Sequence, residues 1–329
     1  MRVAIGQFSQ ISDERLTFAA QLGVSGIVLN TPVMPGKRWE HFDILRGKEQ
    51  WHYLDLVELR SSCENYGLKL EAIENVPIPW LDKVMTGAEG RDEQIENYQE
   101  TIRNLGRAGI PILGYFFSPN LVWRTSFTTF GRGRARVSSF DQSLVENAPL
   151  THGRVIDEAE MWANYDYFLD AVLPVAEESG VVLALHPDDP PVESLGGVSR
   201  IFRNFDGFTR AMDHHASPFH KLDLCLGCWS EMGASIPEVI QHFGSRRQIA
   251  YIHVRDVKGA VPCFEECFIG DGNMDMVDVF RALHDVKFDG FLIDDHVPHM
   301  VDDTEWGHRG RAHAVGYLQA MAEAVTRLG

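Results

Sequence analysis

Four short segments of this chain each finish an apolar run on residue types that bind metals. LALHPDDPP delivers His186, LDLCLGCW offers Cys225 followed by Cys228, YIHVRDVKG offers His253 and then Arg255, and LIDDHVPHM offers Asp294, Asp295, His296 and His299. Two imidazoles, a thiolate and a carboxylate are a donor mixture that takes a divalent transition ion. Imidazole and thiolate suit manganese, iron, cobalt and zinc, the carboxylate adds charge, and the thiolate disfavours Mg2+ and Ca2+. On softness alone zinc rivals manganese. One histidine or cysteine at such a place is ordinarily a packed residue. Four at equivalent places point to a site. Whether the carboxylate is Asp294 or Asp295 stays open, because pleating is irregular at a strand's last residue.

Around these donors stand groups suited to substrate chemistry. Arg255 lies two residues beyond His253, where a guanidinium can grip a carboxylate bidentately. His296 adjoins the proposed ligand, and an imidazole titrates near working pH, so it is the candidate for proton transfer. Asp188 and Asp189 follow His186 in a proline-bounded loop; they either orient a metal-bound imidazole or form a turn. Asp188, together with Asn75 of IENVPI, joins Arg255 as a candidate for contacting substrate. GDGNMD, at 270–275, reads as a Gly-rich turn before a helix. Cys63, Cys263 and Cys267 read as ordinary residues, and Cys225 with Cys228 lacks the second cysteine pair of a zinc knuckle.

Such donors must be carried by elements that end together. Strand candidates lie at 3–8, 26–30, 69–74, 112–117, 181–186, 221–226, 249–255 and 290–295. Runs such as VVLALH are nearly continuous in apolar residues, as strands buried on both faces of a parallel sheet require. Helix candidates alternate with them at 12–22, 48–66, 92–108, 158–179, 199–214, 235–243, 275–285 and 309–328, and Gly23, Gly67, Gly109 and Gly180 suit helix ends. Eight βα units predict one α/β domain over 1–329, a single (β/α)8 TIM barrel, with an open doubly wound sheet as the competing topology. In such a barrel catalytic groups sit where strands end. One long irregular stretch, 118–157, carries Arg124, Arg132, Arg134 and Arg136 and is either a binding loop or a surface insertion.

Composition narrows the partners. A net charge of -17 argues against a nucleic-acid or anionic-membrane surface. No run approaches the roughly 18 apolar residues of a membrane span, and MRVAIGQFSQ does not read as a signal peptide. Five cysteines, an odd and sparse set, predict free thiols in a reducing compartment, the cytoplasm. A homo-oligomer acting on a small polar molecule is expected.

LALHPDDPP, IENVPI, NYQETIRNLGRAGI, the LCLG around Cys225, HVRDVK, FEECFIGDGNMDM and DDHVPHM resemble, in order, the blocks of the mannonate dehydratase family, within the xylose-isomerase-like TIM barrels. The likeness covers most of the chain, and the HPDDPP block is specific. It implies metal ligands at His186, Cys225, His253 and Asp295, a catalytic histidine at His296, a substrate-binding arginine at Arg255, and usually manganese. The implied reaction is loss of water from D-mannonate to give 2-dehydro-3-deoxy-D-gluconate, a step of hexuronate catabolism. The chain departs from the family in three places. Ala312 stands where a proton-transferring tyrosine is expected, Asn30 and Thr31 lie where a histidine pair usually follows the second strand, and a mid-chain helical insertion is missing. A metal-dependent sugar isomerase or epimerase, and a silent sugar-acid-binding barrel, are the alternatives.

Overall fold

The computed structural model describes residues 1–9, 11–31 and 44–328. Each expected strand segment forms a strand: Ile5–Phe8, Gly26–Asn30, Lys69–Glu74, Ile112–Tyr115, Val182–Leu185, His220–Cys225, Ile249–Val254 and Phe291–Asp294. They pair in parallel in chain order. Arg2–Val3 pairs with Phe291 and Leu292, while Ile5–Phe8 pairs with the second strand. The first segment therefore joins both edges of the sheet, and the open doubly wound alternative falls. The fold is a (β/α)8 barrel.

Eight helices alternate with these strands: Asp13–Gln21, Tyr53–Glu64, Arg91–Ala108, Glu158–Ser179, Phe205–His214, Ile236–Ser245, Met276–Asp285 and His308–Leu328. Their starts follow local chemistry. Asp157 accepts from the amide of Glu160, and Asp275 from those of Val277 and Asp278, supplying partners for the orphan donors of a first turn. Gly109 and Gly180 stop two helices at φ of 73° and 67°, a conformation that penalises any Cβ. No helix among the described residues is long and apolar enough to cross a membrane.

The core has two layers. Between strands and helices lies a large cluster that includes Leu183, Leu185, Leu222, Leu224, Phe168 and Leu318. Inside the barrel a smaller cluster holds Ala4, Val28, Ala72, Ala184, Tyr251, Phe291 and Ile293. Tyr251 stacks on Phe291 at 5.0 Å and 9°, and small residues opposite make room for it. At Gly114 a Cβ would stand 2.4 Å from the Tyr251 hydroxyl oxygen. This packed plug is the floor of the barrel mouth.

The stretch 118–157 is more ordered than its irregular sequence suggests. It forms a hairpin, Ser126–Phe130 with Arg136–Asp141, which joins a second hairpin, Asp256–Ala260 with Cys263–Cys267, in a four-stranded antiparallel sheet. The amide of Arg136 donates to the His299 carbonyl at 3.1 Å, and the amide of His299 returns the bond at 2.9 Å. The insertion is thereby tied to the segment that follows the eighth strand. Cys263 and Cys267 are strand residues of this sheet.

Asp294 settles how the last strand divides its neighbouring carboxylates. It accepts from the Gly6 amide at 2.8 Å and from Arg311 Nη1 at 2.6 Å, fastening the first strand and the last helix to the eighth strand. Both side chains are buried. Removing one partner of a buried pair costs about 3 kcal/mol, because the other charge stays uncompensated. Arg311→Ala should lower the denaturant midpoint by that order; an unchanged midpoint would show that the pair does not hold the closure.

Candidate metal centre and its charge network

Strand pleating puts alternate residues on one face, and this rule assembles the mouth. On the seventh strand Tyr251 fills the floor, His253 stands above it, and Arg255 follows at the rim. The sixth strand brings Asp223 and Cys225, the third Ala72 and Glu74, the fifth Ala184 and His186. On the eighth strand Phe291 and Ile293 belong to the same interior, and Asp295 follows. Asp294 has the opposite parity and faces Gly6 and Arg311, so Asp295 is the carboxylate at the mouth.

Candidate donor atoms cluster there in overlapping trios. Ligand atoms of Cys225, His253 and Asp295 lie within 4.8 Å of one another, as do those of His186, Cys225 and Cys228, and of His186, Asp223 and His253. Cys225 Sγ is 3.6 Å from Asp295 Oδ2, and His253 Nδ1 is 3.7 Å from the same oxygen. Each imidazole has one nitrogen already engaged. His186 Nδ1 donates to the Pro187 carbonyl at 2.7 Å, which leaves Nε2 for Cys225. His253 Nε2 donates to Glu74 Oε1 at 2.6 Å and lies 3.2 Å from Asp223 Oδ2. Its Nδ1 is buried and has no hydrogen-bond partner. A buried nitrogen lacking a partner, facing a thiol and a carboxylate, is what a cation would satisfy. Engagement of the far ring nitrogen by a carboxylate or carbonyl is how metal-binding histidines are held. The donor set fits a divalent ion of the transition series.

Buried acids and bases at the site shift one another's charge. Burial opposes ionisation of Cys225, but the Cys228 thiol donating to it and the Arg255 charge hold it well below its ordinary value. Cys228 is pushed up by burial and by that same hydrogen bond. Burial likewise opposes charge on His186, yet its bond to Cys225 and the nearby Asp223 lift it to about 9. Burial raises Asp223 to about 8 despite His253 beside it. Asp295 is held well below the usual carboxylate range, its burial outweighed by His296, His253 and Arg255.

Two buried guanidinium groups hold the remaining acids. Arg255 Nε donates to Asp295 Oδ2 at 2.9 Å, Nη1 to Glu231 Oε1 at 2.5 Å, and Nη2 to Asp189 Oδ2 at 2.8 Å. Arg124, from the insertion, pairs with both oxygens of Asp189 and reaches Glu266 Oε1 at 2.8 Å. His296 Nδ1 donates to Glu266 Oε1 at 2.7 Å, which leaves its Nε2 toward Asp295 Oδ1 at 3.7 Å. Burial opposes charge on His296, but Asp295 and Glu266 raise it to about 8.

The expected site residues are thus distributed as follows. Cys225, His253 and Asp295 lie together, His186 adjoins Cys225 and His253, and His296 stands beside Asp295. Arg255 is at the centre, but each of its nitrogens already has a protein partner. Asp188 accepts from the Phe202 amide at 2.8 Å and faces Arg200 Nη1 at 3.6 Å, so its oxygens order the loop after the fifth strand. It is Asp189 that reaches the arginine network. Asn75, at φ 62°, donates from Nδ2 to Asn30 Oδ1 at 3.2 Å, and Asn30 in turn donates to Gln7 Oε1 at 2.8 Å. Of the insertion's arginines only Arg124 enters the network; Arg132 pairs with Asp271 at 2.8 Å on the surface. Sequence reasoning missed Glu74, Asp223, Glu231 and Glu266. Glu74 and Asp223 carried a usable signal, since each shares the inward parity of its strand near the rim; Glu231 and Glu266 carried none.

Comparison with known proteins identifies the family. The family model D-mannonate dehydratase (UxuA) matches residues 1–153 and 147–328. The chain is 32% identical to a mannonate dehydratase of Thermotoga neapolitana, over 87% of this chain and 89% of that one. It is 30% identical to mannonate dehydratase 2 of Halalkalibacterium halodurans, over 99% and 100%. Among solved structures, the mannonate dehydratase of Streptococcus suis serotype 2 superposes with a TM-score of 0.86 at 27% identity, covering 99% of this chain and 94% of that one. An L-ribulose 3-epimerase shares the fold at a TM-score of 0.64 and 16% identity, covering 99% and 96%. The chain belongs to the D-mannonate dehydratase family.

Proposed function

We propose that this chain is a metal-dependent hydro-lyase that removes water from a D-mannonate-like sugar acid and leaves a 2-keto-3-deoxy acid. Family membership supports the reaction class. The observation that carries the metal is the buried, unpartnered His253 Nδ1 facing Cys225 and Asp295. His186 Nε2, Cys225 Sγ, His253 Nδ1 and Asp295 Oδ2 would hold the ion, with Mn2+ the family's usual choice and Fe2+, Co2+ and Zn2+ also compatible with the donors. When bound, it supplies Lewis acidity that makes the proton α to the substrate carboxylate easier to remove.

The side chains divide the remaining work. Arg255 keeps Asp295 aimed at the donor cluster and presents positive charge toward an incoming carboxylate. Gln7, Asn30 and Asn75 form a chain of neutral amides that orients substrate hydroxyls. His296, its Nδ1 fixed by Glu266, hands the Nε2 proton to the departing β-hydroxyl, which leaves as water, and the same nitrogen takes up the α proton, so the ring ends protonated as it began. Asp188 holds the loop that carries His186 and Asp189. The whole of 1–329 acts as one catalytic domain, in a reducing compartment such as the cytoplasm.

Purified protein supplied with Mn2+ should convert an aldonic acid to a product lighter by one water. A product of unchanged mass would instead mark an isomerase, and ligand binding without turnover a silent barrel. Exhaustive chelation should abolish turnover, and His253→Ala should lower kcat/KM by about 100-fold or more, as loss of a metal ligand does at least as strongly as loss of its supports. Full activity after either treatment would exclude the scheme.

The pH profile tests His296 separately. Its imidazolium form, needed to donate, is populated below a pKa of about 8. Glu266 helps hold that proton, so Glu266→Gln lowers the His296 pKa and the donating form disappears at lower pH. The alkaline limb of kcat/KM should move to lower pH in that variant. A limb that stays in place would exclude His296 as the group it reports.

A further inference from the structure

A main-chain amide and three side-chain amides line up across the first half of the mouth and end on a candidate metal ligand. Phe116 N donates to Asn75 Oδ1 at 3.2 Å, and Asn75 Nδ2 donates to Asn30 Oδ1 at 3.2 Å. Asn30 Nδ2 donates to Gln7 Oε1 at 2.8 Å, and Gln7 Nε2 donates to Asp295 Oδ1 at 3.2 Å. The two ends have a fixed sense. A main-chain N–H only donates and a carboxylate oxygen only accepts, whereas each amide between them can present either its oxygen or its nitrogen. All the bonds must therefore point the same way. Turning any one amide would set oxygen against oxygen on one side and nitrogen against nitrogen on the other. The backbone is bent to build this chain: Gln7 and Asn75 hold φ of 59° and 62°, a region that most side chains avoid and that collects at functional sites. Both are pinned from behind, Gln7 by Trp306 Nε1 donating to its carbonyl at 2.9 Å and Asn75 by the Thr31 hydroxyl donating to its own.

We infer that Asn30 and Asn75 are positioning residues for the metal centre: acting through Gln7, they aim Asp295 from the ends of the second and third strands, across the barrel from the other candidate ligands. The inference rests on the metal-centre reading above and deepens it. Arg255 Nε holds Asp295 Oδ2, the oxygen that faces Cys225 and His253. The amide chain holds Oδ1, so the carboxylate is fixed at both oxygens and cannot swing. Outer partners that orient a ligand tune the affinity of the ion it binds. Here the orientation originates in a main-chain N–H of the segment after the fourth strand and is passed along by hydrogen bonds that support one another. A change of hydrogen-bonding sense at Asn75 should then be felt three links away.

Metal-free protein titrated with Mn2+, with the free ion read by electron paramagnetic resonance, gives the test in wild type, Gln7→Gly, Asn75→Asp and the double variant. Aspartate has the shape of asparagine and tolerates a left-handed φ, and glycine suits the backbone at position 7. Asn75→Asp still accepts from Phe116 but offers Asn30 only another acceptor, so the chain loses its sense. Mn2+ affinity should fall about 10-fold in Gln7→Gly and in Asn75→Asp, as when an outer partner of a ligand is lost. In the Gln7→Gly background Asn75→Asp should weaken binding no further, because the link to Asp295 is already cut. A direct pull of the added charge on the cation would have the opposite sign and would not need Gln7. If Asn75→Asp leaves Mn2+ affinity unchanged, raises it, or lowers it equally in both backgrounds, this inference fails and the metal centre stands. Asn30→Asp breaks the chain one link nearer the ion and gives the same readings should Asn75→Asp not fold. A wild-type protein that binds no Mn2+ overturns both.

Discussion

Everything at the barrel mouth depends on keeping a cluster of buried charges bearable. Asp189, Glu231, Glu266 and Asp295 are all withdrawn from water, and Arg124 and Arg255 are the two buried guanidinium groups that touch them. Desolvating a carboxylate costs several kcal/mol in a real protein unless its partners are well placed. These six groups come from five different loops: Arg124 from the insertion after the fourth strand, Asp189 after the fifth, Glu231 after the sixth, Arg255 and Glu266 after the seventh, and Asp295 after the eighth. One charge network therefore fixes the relative positions of five strand ends. Remove either arginine and the acids repel one another across the opening that a substrate must enter.

The same constraint explains why the donor atoms are set before any ion arrives. His253 cannot turn, because Glu74 and Asp223 hold Nε2 and Tyr251 packs beneath the ring at 5.6 Å. His186 cannot turn, because its Nδ1 proton is committed to the Pro187 carbonyl. Asp295 is gripped by Arg255, and Gln7 Nε2 donates to its other oxygen at 3.2 Å. The site thus stores its orientation in second partners, each a rigid main-chain or barrel-wall group. Arrangement of this kind makes an ion's binding cheap in entropy and its geometry reproducible.

Much of this was legible in the chain, and the reasons are specific. All eight strands were readable because parallel strands buried on both faces are apolar throughout, and the four candidate donors could be named because they stand at the ends of those runs. Three things resisted. Asp294 and Asp295 could not be told apart until Gly6 and Arg311 were seen to claim the former, a contact spanning 288 residues for the Gly6 amide. The hairpins at 126–141 and 256–267 escaped because their strands are short and carry few apolar residues, of which Phe140, Val257 and Phe264 pack into a small cluster apart from the barrel's own. Arg255 read as a free substrate clamp, because a sequence shows an arginine's charge and hides the acids that distant loops bring to it.

The chain's departures from its family become intelligible against this layout. The wall formed by the first three strand ends carries Gln7, Asn30 and Asn75, linked amide to amide, where a histidine pair usually follows the second strand. Amides neither gain nor lose protons at working pH, so this wall can orient its neighbours and can do nothing more. Ala312, next to Arg311 on the last helix, adds no titrating group at the place where the resemblance implies a tyrosine. Within the mouth, proton traffic is confined to the opposite side, where Glu266 and Asp295 hold His296 charged to higher pH than a free imidazole. On the proposed function, a barrel that would bind its ion from strands five to eight and move protons there separates recognition from chemistry by strand number. The substrate's reacting carbons must then lie over the second half of the barrel, with its remaining hydroxyls over the first.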